Sequence, residues 1–413
     1  MNKIWRPFTQ EKTAEKSLKI VKGKGEYLFD ETGKKYIDMI SSWWVNILGH
    51  SNKEIADAIS EQAHTLEHVI FAGFSHDSAE QLVNHLSESL PKSLSKFFFS
   101  DNGSTAVEVA IKMSYQFFKN RGIKNKNIFL NLQGAYHGDT IGAMAAAGVS
   151  SEYHSTFAEF FFKTFSIDFP KNKQDEDIAL EKLNDFLKLH HNEVCALIIE
   201  PLVQGAAGMR MYRSEFLDMI VKIVKEYEII VIFDEVMTGF YRIGTMFAMD
   251  QCKELPDIVC LSKGLTGGFL PLALTIANEK IYNAFLSNDW KKAFIHGHSY
   301  TANPIACAAA CKAQEILKTQ KIQDNIKMIS QTHIKFLKKI MTNSIESSRS
   351  LGTIAVIDLK PEAADKTLIS QMLNDGIIIR PIKNSVYFIP PYCISKQNLE
   401  YAYERLIHNI KQY

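Results

Sequence analysis

At 413 residues the chain exceeds one typical small domain, and one large α/β domain with a smaller one appended is the expected organisation. Its 46% hydrophobic and 23% charged residues are those of an ordinary globular protein, and a net charge of +1 carries no electrostatic footprint for nucleic acid. No apolar stretch approaches the roughly 20 residues that a bilayer span requires.

The chain opens with Trp5 and Pro7 where a secretory leader would have a basic patch and an apolar run, so a cytoplasmic location is expected. Residues 27–29 and 36–39 flank Asp30-Glu31-Thr32-Gly33 and predict a hairpin. Short apolar runs at 96–100, 127–132, 195–200, 229–234 and 272–277 predict buried strands, while 104–120, 175–190 and 214–226 have helical periodicity. That alternation is the pattern of an α/β fold with a mostly parallel sheet, in which functional loops gather at the carboxyl edge. Further on, 316–340 predicts a long helix, 353–359 a strand and 396–409 a closing helix. The expected division is an N-terminal segment of a small α+β domain (1–50), a large cofactor-binding domain (51–310) and the rest of the small domain (311–413). The six cysteines form no C-x-x-C pair, and Cys307 and Cys311, on one helical face, are expected to pack in the core. No internal repeat or low-complexity linker interrupts the chain.

Chemistry concentrates just after the predicted strands. Ile232-Phe233-Asp234-Glu235 is an apolar strand ending in acid, and Lys263 sits in the small-residue loop Ser262-Lys263-Gly264. Pyridoxal phosphate requires such a pair: an amine to bond it, and a carboxylate to keep its pyridine nitrogen protonated so that the ring withdraws electrons. Ser100-Asp101-Asn102-Gly103-Ser104-Thr105 leads from a strand into a helix, where free backbone N–H groups bind a phosphate, although the same segment also reads as a plain helix cap. Gly134-Ala135-Tyr136-His137-Gly138-Asp139 offers an aromatic face for a flat ring in Tyr136, or alternatively a local turn network. Among the 13 histidines, His296-Gly297-His298 is the closest approach to a metal pair and lacks further ligands, so no metal is expected. A nucleotide module is disfavoured because neither phosphate-loop string is present.

These segments carry a family resemblance. Phe233-Asp234-Glu235-Val236-Met237-Thr238-Gly239-Phe240 with Arg242 and Gly244, followed by Leu261-Ser262-Lys263-Gly264-Leu265-Thr266-Gly267-Gly268, resembles the signature of class III aminotransferases. The resemblance implies the pyridoxal-phosphate transferase fold type I, a homodimer with shared active sites, and ping-pong transamination. It implies that Lys263 bonds the cofactor and moves protons, that Asp234 pairs with the pyridinium, and that Tyr136 stacks on the ring. Gly103 and Ser104 hold the phosphate in this scheme with Thr105 assisting, Ser299 reaches it from the second subunit, and His298 is a further cofactor contact.

Within the family, Ile4-Trp5-Arg6-Pro7-Phe8-Thr9, Ser41-Ser42-Trp43-Trp44, Ile199-Glu200-Pro201 and Ile379-Arg380-Pro381 resemble the branch that aminates 8-amino-7-oxononanoate. The implied substrate contacts are Phe8, Trp43, Trp44, Tyr136, Lys263, Gly297 and Arg380, and the implied donor is S-adenosyl-L-methionine, with lysine as the alternative. Phe8 stands where many members carry a tyrosine. A long acid with an amino ketone at its far end suits an apolar slot closed by an arginine. Taken alone, the tryptophan pair also reads as core and Arg380 as half of a structural ion pair. The competing expectations are another class III enzyme acting on ω-amino acids or diamines, and a silent binding protein of the same fold, which would lack the lysine or the aspartate.

Overall fold

The apolar runs in the middle of the chain form strands buried along their whole length, as a sheet covered by helices on both faces requires. The computed structural model describes residues 3–149, 154–340, 343–361 and 366–410. The strands in chain order are β1 (Ile20–Lys24), β2 (Tyr27–Asp30), β3 (Lys35–Asp38), β4 (Leu94–Ser100), β5 (Ile128–Leu132), β6 (Thr164–Ile167), β7 (Val194–Ile199), β8 (Val203–Gln204), β9 (Arg210–Met211), β10 (Ile230–Asp234), β11 (Ile258–Leu261), β12 (Ala273–Asn278), β13 (Ile345–Leu351), β14 (Ile354–Leu359), β15 (Ile377–Ile378) and β16 (Ser385–Phe388).

Seven of them make the main sheet in the order β4-β12-β11-β10-β7-β5-β6. Only β12 runs antiparallel to its neighbours, so β4, β5, β7, β10 and β11 all deliver their carboxyl ends to one edge. Helices Gly103–Asn120, Lys173–His190 and Ser214–Glu226 lie where the periodicity places them. In the last, Phe216, Leu217, Ile220, Val221 and Val224 form one buried stripe. Strands β6 and β11 were not expected: each is a four-residue run, too short for periodicity to separate from a loop.

The predicted hairpin is β2–β3, and its turn is closed by Asp30, whose carboxylate accepts from the Thr32 and Lys34 amides and the Tyr36 hydroxyl. The sheet β1-β2-β3-β15 joins the two ends of the chain, and β13-β14-β16 forms a separate antiparallel sheet. The long helix expected over 316–340 is two helices, Pro304–Leu317 and Gln320–Leu337, because Thr319 takes an extended conformation (φ −70°, ψ 142°) at the start of the second. The first of these packs on helices Lys53–Thr65 and Asp77–Ser87 and spans position 310/311. Cys307 and Cys311 are buried in it. Among the described residues no helix is long and apolar enough to cross a membrane.

Candidate active site

A cavity of about 550 Å³ opens at the carboxyl edge of the main sheet, lined among others by Trp44, Ser104, Tyr136, Glu200, Asp234 and Lys263. Each of the last four follows or ends a parallel strand, so chain segments far apart in sequence converge for a topological reason.

Lys263 begins a tight turn, Lys263–Thr266, with φ +46°, a left-handed conformation rarely adopted by a residue with a side chain. Burial pushes its amine below the usual lysine range, and the nearby Asp234 and Glu200 partly oppose that shift. Asp234, buried at the end of β10, accepts from His137 Nδ1 at 2.7 Å and from the Val236 amide at 3.1 Å. The carboxylate is thereby aimed and cannot rotate freely. His137, which the sequence left as a possible turn residue, is therefore a partner of the central aspartate, and its Nε2 is buried without a hydrogen bond.

Glu200 occupies the equivalent strand-end position on β7. Its oxygens accept from the Tyr136 and Gly205 amides, yet burial, with Asp234 adding to it, pushes its carboxyl up to about 7. No role for it follows from the sequence reading above. The signal was present: like Asp234, it is an acid closing a fully apolar strand. Tyr136 is gripped through its amide by Glu200 and through its hydroxyl by Asp139 at 2.8 Å, with His154 stacked on its ring at 5.7 Å. Burial, reinforced by Asp139, raises its phenol pKa.

The start of helix Gly103–Asn120, where the sequence predicts a phosphate site, leaves fewer groups free than expected. Asn102 Oδ1 accepts from the Thr105 amide at 3.1 Å, and the Thr105 hydroxyl serves Asp101 at 2.8 Å, so Thr105 is consumed by the cap. Gly103 and Ser104 line the cavity. A Cβ on Gly103 would lie 2.7 Å from Val236 Cγ1, so only glycine lets the helix end approach the loop that carries Asp234. An amine, a fixed carboxylate and a helix N-terminus on one cavity form the donor set that suits a phosphorylated, cationic aromatic ring.

The tryptophan pair lies in Ser41–Trp44, a left-handed turn in which four consecutive residues have φ +47°, +43°, +71° and +72°. Left-handed backbone costs roughly 1–2 kcal/mol per residue that carries a Cβ, so other contacts must hold the turn. Trp44 is buried, donates Nε1–H to the Tyr387 hydroxyl at 3.2 Å, and places its ring centre 5.4 Å from Lys263 Nζ. Trp43 is partly exposed, with Phe8 at 5.3 Å between ring centres and the Arg380 guanidinium 4.4 Å from its own ring centre. Among the described residues no carboxylate pairs with Arg380, which counts against the structural ion pair that the sequence left open.

Gly297, His298 and Ser299 do not line the main cavity of the single chain. The adjoining Tyr300 lines a smaller cavity that shares Asp101, Leu270, Pro271 and Leu272 with it. His298 Nδ1 accepts from the Tyr300 amide, and His296 Nδ1 accepts from Lys112 Nζ at 2.8 Å.

The family profile described as "Aminotransferase class-III" matches residues 9–410. The chain is 42% identical to the adenosylmethionine-8-amino-7-oxononanoate aminotransferase of Synechococcus elongatus over 97% of this chain and 96% of that protein. It is 36% identical to the enzyme of the same name from Helicobacter pylori over 98% and 95%. Among solved structures, the adenosylmethionine-8-amino-7-oxononanoate aminotransferase of Methanocaldococcus jannaschii superimposes with a TM-score of 0.94 at 36% identity, covering 99% of this chain and 97% of that one. An amine transaminase from an uncultivated Pseudomonas species, in its PLP-bound form, superimposes with a TM-score of 0.91 at 26% identity, covering 100% and 99%.

Proposed function

Because the chain belongs to the class III aminotransferases, we propose that it aminates 8-amino-7-oxononanoate to 7,8-diaminononanoate, a step of biotin biosynthesis, with S-adenosyl-L-methionine as the amino donor. Its fold is the α/β fold type I of this family, and its cofactor is pyridoxal phosphate. The observation that carries the substrate reading is one tryptophan pair with chemistry at both ends: Lys263 beside Trp44, and on Trp43 an Arg380 with no carboxylate partner among the described residues.

Pyridoxal phosphate, when bound, carries the amino group between donor and acceptor and draws off the electron pair left when a proton leaves the substrate carbon. In this assignment Lys263 would bond it, Asp234 would pair with its ring nitrogen, Gly103 and Ser104 would take its phosphate, and Tyr136 would cover its ring. Thr105, busy in the helix cap, is kept only as a support of that phosphate site. Lys263, once released, takes the proton from the reacting carbon at Nζ and returns it, a task that its lowered pKa favours by leaving more of the amine neutral near pH 7. His137 and the Val236 amide hold Asp234 in one orientation, so its negative charge meets the ring without reorganisation. Trp43, Trp44 and Phe8 form the apolar path for the chain of the oxo acid, and Arg380 reads its carboxylate.

We assign Gly297, His298 and Ser299 to the site of a second copy of the chain, in a homodimer. Trp290, Ile295 and Tyr300, more than half exposed on the single chain, supply the apolar surface that such a contact buries. The test is amination of 8-amino-7-oxononanoate by the purified enzyme with S-adenosylmethionine, lysine or an ω-amino acid offered in turn. Product with S-adenosylmethionine supports the full reading. Product with lysine alone changes the donor, and no product with any donor rejects the acceptor.

A further inference from the structure

The turn Ser41–Trp44 carries both indoles of the substrate path, and no glycine or asparagine relieves its left-handed backbone. Two anchors compensate. Ser41 Oγ donates to the Ile389 carbonyl at 2.7 Å and accepts from the buried Arg242 at 3.3 Å, tying the turn to the strand end beyond β16. Ser42 Oγ donates to Asp38 Oδ2 at 2.7 Å. Asp38 is fully buried and is itself locked: Oδ2 also faces His50 Nε2 at 2.9 Å, Oδ1 accepts from the Ile40 amide, and His50 is held by Asn46 at 3.0 Å. Gly268 closes the far side, where a Cβ would lie 2.7 Å from Asn46 Cα.

The two anchors differ in kind. Ser41 is buried inside the fold and its loss would disturb packing generally. Ser42, one residue before the exposed Trp43, is half-buried, lines neither cavity, and among the described residues its hydroxyl bonds to Asp38 alone. Resting on the function proposed above, we infer that Ser42, clamped by the Asp38 carboxylate, is a specificity-determining positioning residue. It holds Trp43 over Arg380 while Trp44 stays beside Lys263, and so sets the length of acid that fits between the amine-transfer end and the carboxylate-reading end. Discrimination for the long acid over a short ketone then depends on a hydroxyl that contacts neither.

Ser42→Gly separates this role from a structural one. Glycine adopts positive φ without the Cβ penalty, so it removes the clamp and the strain together. The holoenzyme variant is expected to keep its cofactor and a Tm within about 3 °C of the parent. Its KM for 8-amino-7-oxononanoate should rise about tenfold with kcat within about twofold, and its preference for that acid over a truncated amino ketone lacking the acid tail should fall about tenfold. Asp38→Asn, which weakens the same clamp from the other side, should shift the preference in the same direction. The near-UV circular dichroism of the indoles should change in both. An unchanged preference overturns the inference, as does a Ser42→Gly enzyme that loses cofactor or melts well below the parent, since the serine is then structural. A parent enzyme that does not aminate the acid rejects the proposed function instead, and the indole spectrum of Ser42→Gly still reports whether the clamp holds the turn.

Discussion

Arg380 is the residue on which the substrate reading turns most sharply. Its guanidinium lies 4.4 Å from the Trp43 ring centre with no carboxylate partner among the described residues, so its charge is available to a ligand carboxylate. A charge-assisted hydrogen bond contributes roughly 1.5–3 kcal/mol. Because Arg380 is exposed on the single chain, the lower part of that range applies, and about 2 kcal/mol corresponds to roughly a 30-fold change in affinity. Arg380→Ala is therefore expected to raise KM for 8-amino-7-oxononanoate about 30-fold. Its effect on the truncated ketone without a carboxylate should be no more than about twofold. Arg380→Lys keeps the charge but loses the planar fork and the stack, and should fall between the two. Steady-state kinetics with the donor held at saturation give both numbers in one series. If the acid and the truncated ketone weaken by the same factor in Arg380→Ala, the arginine supports Trp43 and reads no carboxylate.

Lys263→Ala should bind pyridoxal phosphate without a covalent link and lose turnover, and borohydride reduction of the parent should fix the cofactor on Lys263; label on another lysine would refute the assignment. Asp234→Asn should retain the cofactor yet lose on the order of 10²-fold or more in rate, because the ring nitrogen then faces a neutral amide in place of the carboxylate that His137 aims; a rate within a few-fold of the parent would remove Asp234 from the chemistry. Stability should depend on His333, which is buried between the Tyr403 hydroxyl at 2.7 Å and the Thr353 carbonyl at 3.1 Å and is pushed by burial from 6.5 down to about 4. The unfolded chain binds a proton there that the folded chain refuses, so stability falls as pH drops from about 6.5 to about 4, by at most about 3 kcal/mol. Urea midpoints across that range should show the loss in the parent and a flatter profile in His333→Gln; identical slopes would place the titration elsewhere.

Much that depends on a strand end and the few residues after it was legible in the sequence, although Glu200 at the end of β7 was passed over. Asp234, Lys263, Tyr136 and the Gly103 segment follow apolar runs whose burial the hydropathy pattern already implies, and a parallel sheet delivers such ends to one edge. Local pattern could not show that Thr105 spends both its donors in the helix cap, because that depends on which of several equivalent bonds the turn adopts. Nor could it show His137 against Asp234 or Glu200 under Tyr136, which are pairings across the sheet. The largest gap is the tryptophan turn. Nothing in Ser41-Ser42-Trp43-Trp44 announces positive φ, since each residue alone prefers the right-handed or extended regions. The conformation survives because Arg242, Tyr387 and Ile389, brought in from distant parts of the chain, bond to it and outweigh the local cost. The sequence by itself singled out the groups to which the proposed chemistry is assigned. Only the tertiary structure decided the course of the tryptophan turn on which the proposed substrate path depends, because long-range hydrogen bonds, and no local propensity, hold that backbone in place.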